Sequence, residues 1–410
     1  MTRAGDDAER SDEEERRQTT GAGDDPVSRA WAYLSRVAEP PCAELAALVG
    51  CVGPEEAADR VRRGLVDDDL AHHTEARRGI DRAAEDLELL ARCGGRLITP
   101  DDDEWPLLAF AAFAGVGAAR PRGGPPLVLW ALGPARLDEV AQRAAAVVGT
   151  RAASAYGEHV AAELAAGLVE RDVAVLSGGA YGVDGAAHRA VLAADGITVA
   201  VLACGIDIPY PAGHSALLHR IARDGLVFTE YAPGVRPARH RFLTRNRLVA
   251  AAAGAVVVVE AGLRSGAANT AAWARVLGRV VAAVPGPVTS SASAGCHALL
   301  RNGAELVTRA DDIVELVGRI GELASELPRP STPLDGLGEA ERQVYEALPG
   351  RGAATVDEIA VASGVMPEQV LGPLAMLELA GLAECRDGKW RIVRGGGSRV
   401  AAKPVQTRFV

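Results

Sequence analysis

Ala144 to Gly182 reads AAAVVGTRAASAYGEHVAAELAAGLVERDVAVLSGGAYG. Two short apolar runs, Ala144–Val148 and Val173–Leu176, flank a segment, Gly157–Leu168, whose apolar residues recur at helical spacing. Each run ends in glycine, as Gly149-Thr150-Arg151 after the first and Ser177-Gly178-Gly179 after the second. A strand that is apolar throughout is covered on both faces, so strand–helix–strand reads here as one unit of a parallel sheet. The alternation continues with a helix at Gly182–Ala193, a strand at Thr198–Leu202 ending in Cys204-Gly205, and a strand at Leu226–Thr229. A helix at Arg245–Ala253, a strand at Ala255–Val259, a helix at Gly266–Leu277 and a strand at Val280–Val284 complete it. The expected core is a Rossmann-like α/β sheet. Such sheets bind ligands beyond the carboxyl ends of their strands, where each of these Gly-rich turns falls.

Working outward, the chain divides by composition. Residues 1–25 are polar and acidic and are expected to be a disordered tail. Residues 26–95 read as a small helical domain, with Trp31, Leu34, Val37, Leu45, Leu48 and Val49 at helical spacing and Pro40-Pro41 and Gly53-Pro54 as punctuation. The core spans 96–320, opening with a Pro- and Gly-rich connector from Asp101 to Pro126. Residues 321–338, with Pro328, Pro330 and Pro333, read as a linker. Within 339–394, helix patterns at Glu339–Leu348, Val356–Ser363 and Glu368–Leu379 precede a hairpin turning at Asp387-Gly388, a winged-helix plan. Residues 395–410 form a tail, and no internal repeat is evident.

The chain has 410 residues, too many for one compact domain, and 48% are apolar against only 4% aromatic, so the core is built largely from Ala, Val and Leu. Net charge is −10, which argues mildly against a nucleic-acid binder. Its distribution matters more than the sum. Residues 141–310 carry 16 basic and 11 acidic groups, whereas 1–25 carry 4 and 9 and 334–394 carry 6 and 10. A polyanion, if one binds, is expected on the basic middle. Six scattered cysteines form no CxxC pair and no zinc spacing, so no metal is expected. No apolar signal segment and no run of about 18 apolar residues is present, which reads as a cytoplasmic protein with reduced thiols and no membrane contact. Neither GxGxxG nor GxxxxGK[ST] occurs, so no nucleotide cofactor is expected.

Four segments could carry chemistry. Gly149-Thr150-Arg151 ends a strand and enters a helix, exposing backbone N–H groups to an anion, with the Arg151 fork suited to phosphate; a plain βα turn with a surface arginine is the alternative. Ser177-Gly178-Gly179 lets backbone approach a ligand closely. Asp184 and His188, four residues apart on one helix face, could be an acid–base pair or metal ligands, but are read as support for the buried loop. The densest basic run holds Arg236, Arg239, His240, Arg241, Arg245 and Arg247, with Phe242 and Asn246 among them. Arginines at a helix start oppose the helix dipole unless an anion binds there, and Phe242 offers a face for a base. A solvated basic loop is the alternative. Lastly, Glu260 to Thr270, EAGLRSGAANT, follows a strand and opens a helix, forming an anion cradle with the Ser265 hydroxyl. Several such cradles at one sheet edge suit an extended phosphodiester better than one small ligand.

The segments VVGTR (147–151), SGGAYGVDGAAH (177–188), GIDIPYP (205–211), RFLTRNRLVA (241–250), EAGLRSGAANTA (260–271), VPGPV (284–288) and GCHALLRNGAELV (295–307), in this order, resemble the DprA (Smf) family over about 120–318. The resemblance implies a Rossmann-like core that binds single-stranded DNA without base preference, dimerises around 290–318 and hands DNA to the RecA recombinase during natural transformation or related recombination. It implies no catalytic role for these loops. By motif, Arg151 corresponds to the arginine of VG[ST]R, Gly178 and Gly179 to the glycine loop, and Phe242, Arg245, Asn246 and Arg247 to F-x-x-R-N-R. Ser265, Gly266 and Thr270 correspond to S-G-[AST]-x-x-T-A. With Ser177 and Arg241 these make the expected DNA site. The sequence departs from the family at His297, where Asn is usual, and in lacking the lysines of the basic groove. The third winged-helix helix carries Glu368, Gln369, Pro373 and Glu378 but no Lys or Arg, so this domain is read as a protein-interaction or structural module.

Two other readings compete. A nucleotide phosphoribohydrolase shares a related core, but its signature PGGxGTxxE meets Gly262-Leu263-Arg264-Ser265-Gly266 here, without the double glycine or the catalytic glutamate. An interaction scaffold with a vestigial DNA site is compatible with the acidic total.

Overall fold

The computed structural model describes residues 25–116, 122–319, 321–323, 334 and 336–393. The acidic tail up to Asp24, most of the linker and the segment from Arg394 onward lie outside the described residues. The chain forms two compact units, Met1–Ser325 and Glu326–Val410.

The first unit is built on a nine-stranded sheet. Its strands are β1 (Gly95–Ile98), β2 (Leu129–Leu132), β3 (Ala144–Val148), β4 (Ala174–Ser177), β5 (Thr198–Val201), β6 (Leu226–Thr229), β7 (Ala255–Val258), β8 (Val280–Ala283) and β9 (Glu305–Leu306). They run in the order β1-β2-β6-β5-β4-β3-β7-β8-β9. From β6 to β9 every pair is parallel, as the apolar runs lead one to expect. The sheet is nevertheless mixed, because β2 pairs antiparallel with β6 and β1 antiparallel with β2. Of the two antiparallel strands, the edge strand β1 is four residues that include Gly95 and Arg96, whereas β2 lies in an apolar run, Leu127–Leu132, that follows the Pro- and Gly-rich connector.

Successive residues of a strand face opposite sides, and the core follows that rule. Ala144, Ala146 and Val148 of β3 join Val256 and Val258 of β7 against the helices Arg239–Ala251 and Gly266–Val276. On the other side Ala145, Val147, Val175 and Val257 meet the helices Ala155–Val169, Val183–Ala193 and Ala310–Val317. Residues 26–95, read as a small helical domain, share one apolar cluster with the sheet, and Gly95 already opens β1. Trp31, Leu34, Leu45, Val61, Leu70, Leu87 and Leu90 pack with Trp130 of β2, Val227 of β6 and Leu202 just after β5. Their apolar stripes find a partner on the sheet rather than among themselves alone. The junction is also ionic, since the buried Asp86 accepts from Nε and Nη2 of Arg36, both at 2.8 Å, while Arg36 reaches the Pro233 carbonyl at 2.6 Å.

The second unit comprises the helices Glu339–Ala347, Val356–Ser363 and Pro367–Leu379 and the hairpin of β10 (Ala383–Arg386) and β11 (Lys389–Ile392). This is the expected winged-helix plan. Asp387 and Gly388, at φ of 51° and 74°, make the two-residue turn that matches strand twist. Thr355 and Glu358 cap the second helix reciprocally. The core is Val344, Ile359, Val370, Leu374, Leu377 and Trp390. The third helix runs through Pro373, whose missing N–H leaves the Gln369 carbonyl without its helical partner. No single described helix is long and apolar enough to cross a membrane.

Candidate nucleic-acid interface

From β3 the chain winds outward through β4, β5 and β6, then returns to the other side of β3 as β7. The connections leaving β3 and β7 therefore diverge, and a crevice opens between them at the strands' carboxyl ends. A cavity of about 860 Å³ sits there, bounded by Gly149–Arg151 after β3, Gly178 and Ala180 after β4, and Gly262 to Thr270 after β7. The helix Arg239–Ala251 supplies Arg239, Phe242, Leu243, Arg245 and Asn246.

Glycines make the crevice possible. A side chain at Gly182, where φ is +74°, would run into the backbone of Thr150 and Arg151. One at Gly178 would collide with the guanidinium of Arg245. That guanidinium is buried beneath the glycine loop. It donates to the Gly178 carbonyl at 3.0 Å and to the Val201 carbonyl. Asp184 completes the support by accepting from the amides of Gly178 at 3.1 Å and Ala180 at 3.4 Å. Burial pushes the Asp184 carboxyl up and Arg245 down from their ordinary values, and their opposite charges each oppose that shift. Asn246 spans the crevice, with Nδ2 on the Gly266 carbonyl at 3.3 Å and Asn269 Oδ1 at 3.1 Å.

The arginines of the basic run separate by environment. Arg247 is fully buried and bidentate on Glu230, at 2.9 and 2.7 Å, with Nε on the Gly124 carbonyl at 3.0 Å. Its expected phosphate contact is corrected by this geometry, because no face of the guanidinium is open. Arg241 is also withdrawn, since Glu39 takes its Nε at 2.7 Å and Nη2 at 2.9 Å. Burial would raise the Glu39 carboxyl, but hydrogen bonds from Arg241, Arg77 and His240 outweigh it and hold the pKa at about 2. The anion that offsets arginines at this helix start is thus a carboxylate of the protein itself. By contrast Arg151, Arg239 and Arg264 are exposed, line the cavity and form no ion pair among the described residues. Four arginines, counting Arg245, face a single carboxylate, Asp184, in the cavity wall.

Hydroxyls contribute less than expected. Ser177 is buried and donates to the Val147 carbonyl at 2.6 Å, which corrects its expected DNA contact. Ser265 lines the cavity but caps the helix Gly266–Val276 by accepting from the Ala268 amide at 3.2 Å. Thr270 donates to the Gly266 carbonyl at 3.3 Å. The helix still presents its positive end to the cavity, where Gly266 and Ala267 stand. Gly179, at φ +68°, shapes the loop without lining the cavity. His188 lies deep beneath the loop. Thr198 donates to the Val175 carbonyl at 2.9 Å, so His188 must carry its proton on Nδ1 to donate to Thr198 Oγ1 at 2.7 Å. Burial lowers its pKa to about 3, so the ring is neutral, and it does not face Asp184 as an acid–base partner would.

One wall is aromatic. Arg151 lies over the Phe242 ring at 5.1 Å, and the Tyr210 ring stands 5.4 Å from Phe242, tilted by 47°. The expected site residues Arg151, Gly178, Phe242, Arg245, Asn246, Ser265, Gly266 and Thr270 are therefore brought to one cavity, and Ser177, Gly179, Arg241 and Arg247 are not. Arg239, Arg264 and Tyr210 join them from outside the expected set. Arg239 belongs to the basic run and Arg264 and Tyr210 to quoted motifs, but exposure alone marks them, and exposure is set by distant partners.

The comparisons with known proteins agree with this architecture. Residues 96–318 match the family model described as DNA recombination-mediator protein A, and residues 328–389 match the DprA winged helix domain. The chain is 81% identical over 387 residues to the putative DNA processing protein DprA of Mycobacterium tuberculosis, covering 94% of this chain and 100% of that one. It is 36% identical over 239 residues to protein Smf of Escherichia coli, covering 58% and 64%. The X-ray structure of DNA processing protein A from Streptococcus pneumoniae aligns with a TM-score of 0.55 at 28% identity, covering 71% of this chain and 97% of that one. Asp184, the carboxylate in the cavity wall, is committed to two loop amides. The chain belongs to the DNA recombination-mediator protein A family, DprA or Smf.

Proposed function

We propose that the crevice between β3 and β7 binds single-stranded DNA without base preference and that the protein hands the strand to RecA during recombination or DNA uptake. The observation that carries the DNA reading is the set of three exposed, unpaired arginines, Arg151, Arg239 and Arg264, around an aromatic wall and a helix N-terminus. Arginine forks suit phosphate oxygens and rings suit unstacked bases, and an open crevice lets a chain pass where a closed pocket would hold one ligand. Phosphate contacts and ring stacking take any base, which favours sequence-independent binding.

Family membership supports RecA as the recipient and a homodimer as the working form. The site acts by binding, with no enzymatic step assigned to it. The test is a salt series of oligothymidine affinities. Contacts by Z arginines give a log–log slope near −0.7Z. A slope of about −2 is expected from three arginines, whereas a flat response returns the chain to the scaffold reading. RecA handover is tested by RecA's DNA-dependent ATP hydrolysis on strands preloaded with this protein, expected to start sooner than on strands without it.

A further inference from the structure

The aromatic wall contains a ring that the expected site does not use. Tyr210 lines the cavity, is about one-third exposed at 37%, and packs its ring against Phe242. Of the other tyrosines described in this unit, Tyr231 buries its ring with no partner for its hydroxyl, and three are tied in place through theirs. Tyr33 donates to the Arg78 carbonyl at 2.8 Å, Tyr156 to the Pro285 carbonyl at 2.6 Å, and Tyr181 accepts from the Gly213 amide at 3.2 Å. The Tyr210 hydroxyl makes no hydrogen bond among the described residues. A tyrosine kept only for packing would bury its ring or use its hydroxyl. Tyr210 does neither, and it stands beside the ring on which Arg151 already rests.

We propose that Tyr210 and Phe242 form a two-ring wall that takes unpaired nucleobases, so that Tyr210 is a further DNA-contacting residue whose contribution comes from base stacking and not from phosphate. This rests on the single-strand reading of the cavity. Two adjacent π faces, tilted to one another, give successive bases separate surfaces, and stacking tolerates any base because every base has a face. The guanidinium of Arg151 over Phe242 places a cation next to that wall, where the phosphate joining two stacked bases runs.

The test uses the full chain with two probes, a labelled oligothymidine and an abasic oligonucleotide of the same length, and two variants, Tyr210→Phe and Tyr210→Leu. Tyr210→Phe keeps the ring and binds oligothymidine like the wild type. Tyr210→Leu keeps apolar volume without a π face and binds oligothymidine about tenfold more weakly, within the usual range for one stacked base, with an unchanged salt slope. On the abasic probe both variants match the wild type. Equal loss by Tyr210→Leu on both probes, or no loss on oligothymidine, overturns the proposal while the cavity reading stands. Failure of the wild type to bind either probe overturns the cavity reading itself, and this proposal with it.

Discussion

Replacing Arg247 by alanine tests whether this arginine is part of the fold or of the DNA site. Its side chain is 0% exposed and that of its partner Glu230 is 1% exposed. Truncation removes two hydrogen bonds to the carboxylate and one to the Gly124 carbonyl. It leaves a carboxylate in a dry site without a counter-ion. Breaking a buried pair in this way costs about 3–5 kcal/mol. The sign with pH follows from Glu230, whose carboxyl burial already raises. In Arg247→Ala its folded-state pKa rises further above the unfolded value. A raised group loses stability as pH climbs through the folded pKa and has none to lose below the unfolded one. The deficit should therefore shrink on moving from pH 8 toward pH 5, and Arg247→Ala/Glu230→Gln should recover part of it at pH 8. Denaturant unfolding reads all three quantities. A variant as stable as the wild type that binds single strands tenfold more weakly would refute the structural assignment.

Further predictions follow from the same geometry. Arg151→Ala should weaken oligothymidine binding about tenfold and reduce the salt slope by about 0.7, with stability within roughly 0.5 kcal/mol, because the side chain is exposed and unpaired. Gly178→Ala should weaken binding by displacing the Arg245 guanidinium that underlies the loop, and its unfolding midpoint in denaturant should fall. Glu39 has a depressed pKa, so its stabilising contribution is present above the unfolded carboxylate value and is lost as pH falls toward about 2. A Glu39→Gln chain should accordingly show a flatter acid-unfolding profile.

The parallel core is legible because it is written in local pattern. Each of β3 to β8 is a short apolar run closed by a turn, and the helix spacing between them needs no tertiary knowledge. The strand β1 carries no such signal, and β2, though it lies in an apolar run at Leu127–Leu132, gives no local sign that it pairs antiparallel with β6, a contact across more than 90 residues. The same contrast runs through the site. The motifs gather at one crevice because glycines must follow the strands that bound it. Which arginines stay free is decided elsewhere in the chain. Arg241 is taken by Glu39, 202 residues away, and Arg247 by Glu230 on the neighbouring strand end. Ser177 sits in a glycine loop, where exposure is the natural expectation, but its hydroxyl turns inward to the carbonyl of β3. Burial of this kind is a property of the assembled sheet, not of the motif.

Photocrosslinking the full chain to an oligothymidine carrying 5-bromodeoxyuridine, followed by mass spectrometry of the joined peptides, tests the central claim most directly. Crosslinks at Tyr210, Phe242 or the residues between Gly262 and Thr270 are predicted, and they should disappear in an Arg151→Ala/Arg264→Ala chain. Crosslinks confined to residues 26–92 or 339–393 would contradict the account and move the DNA to another surface.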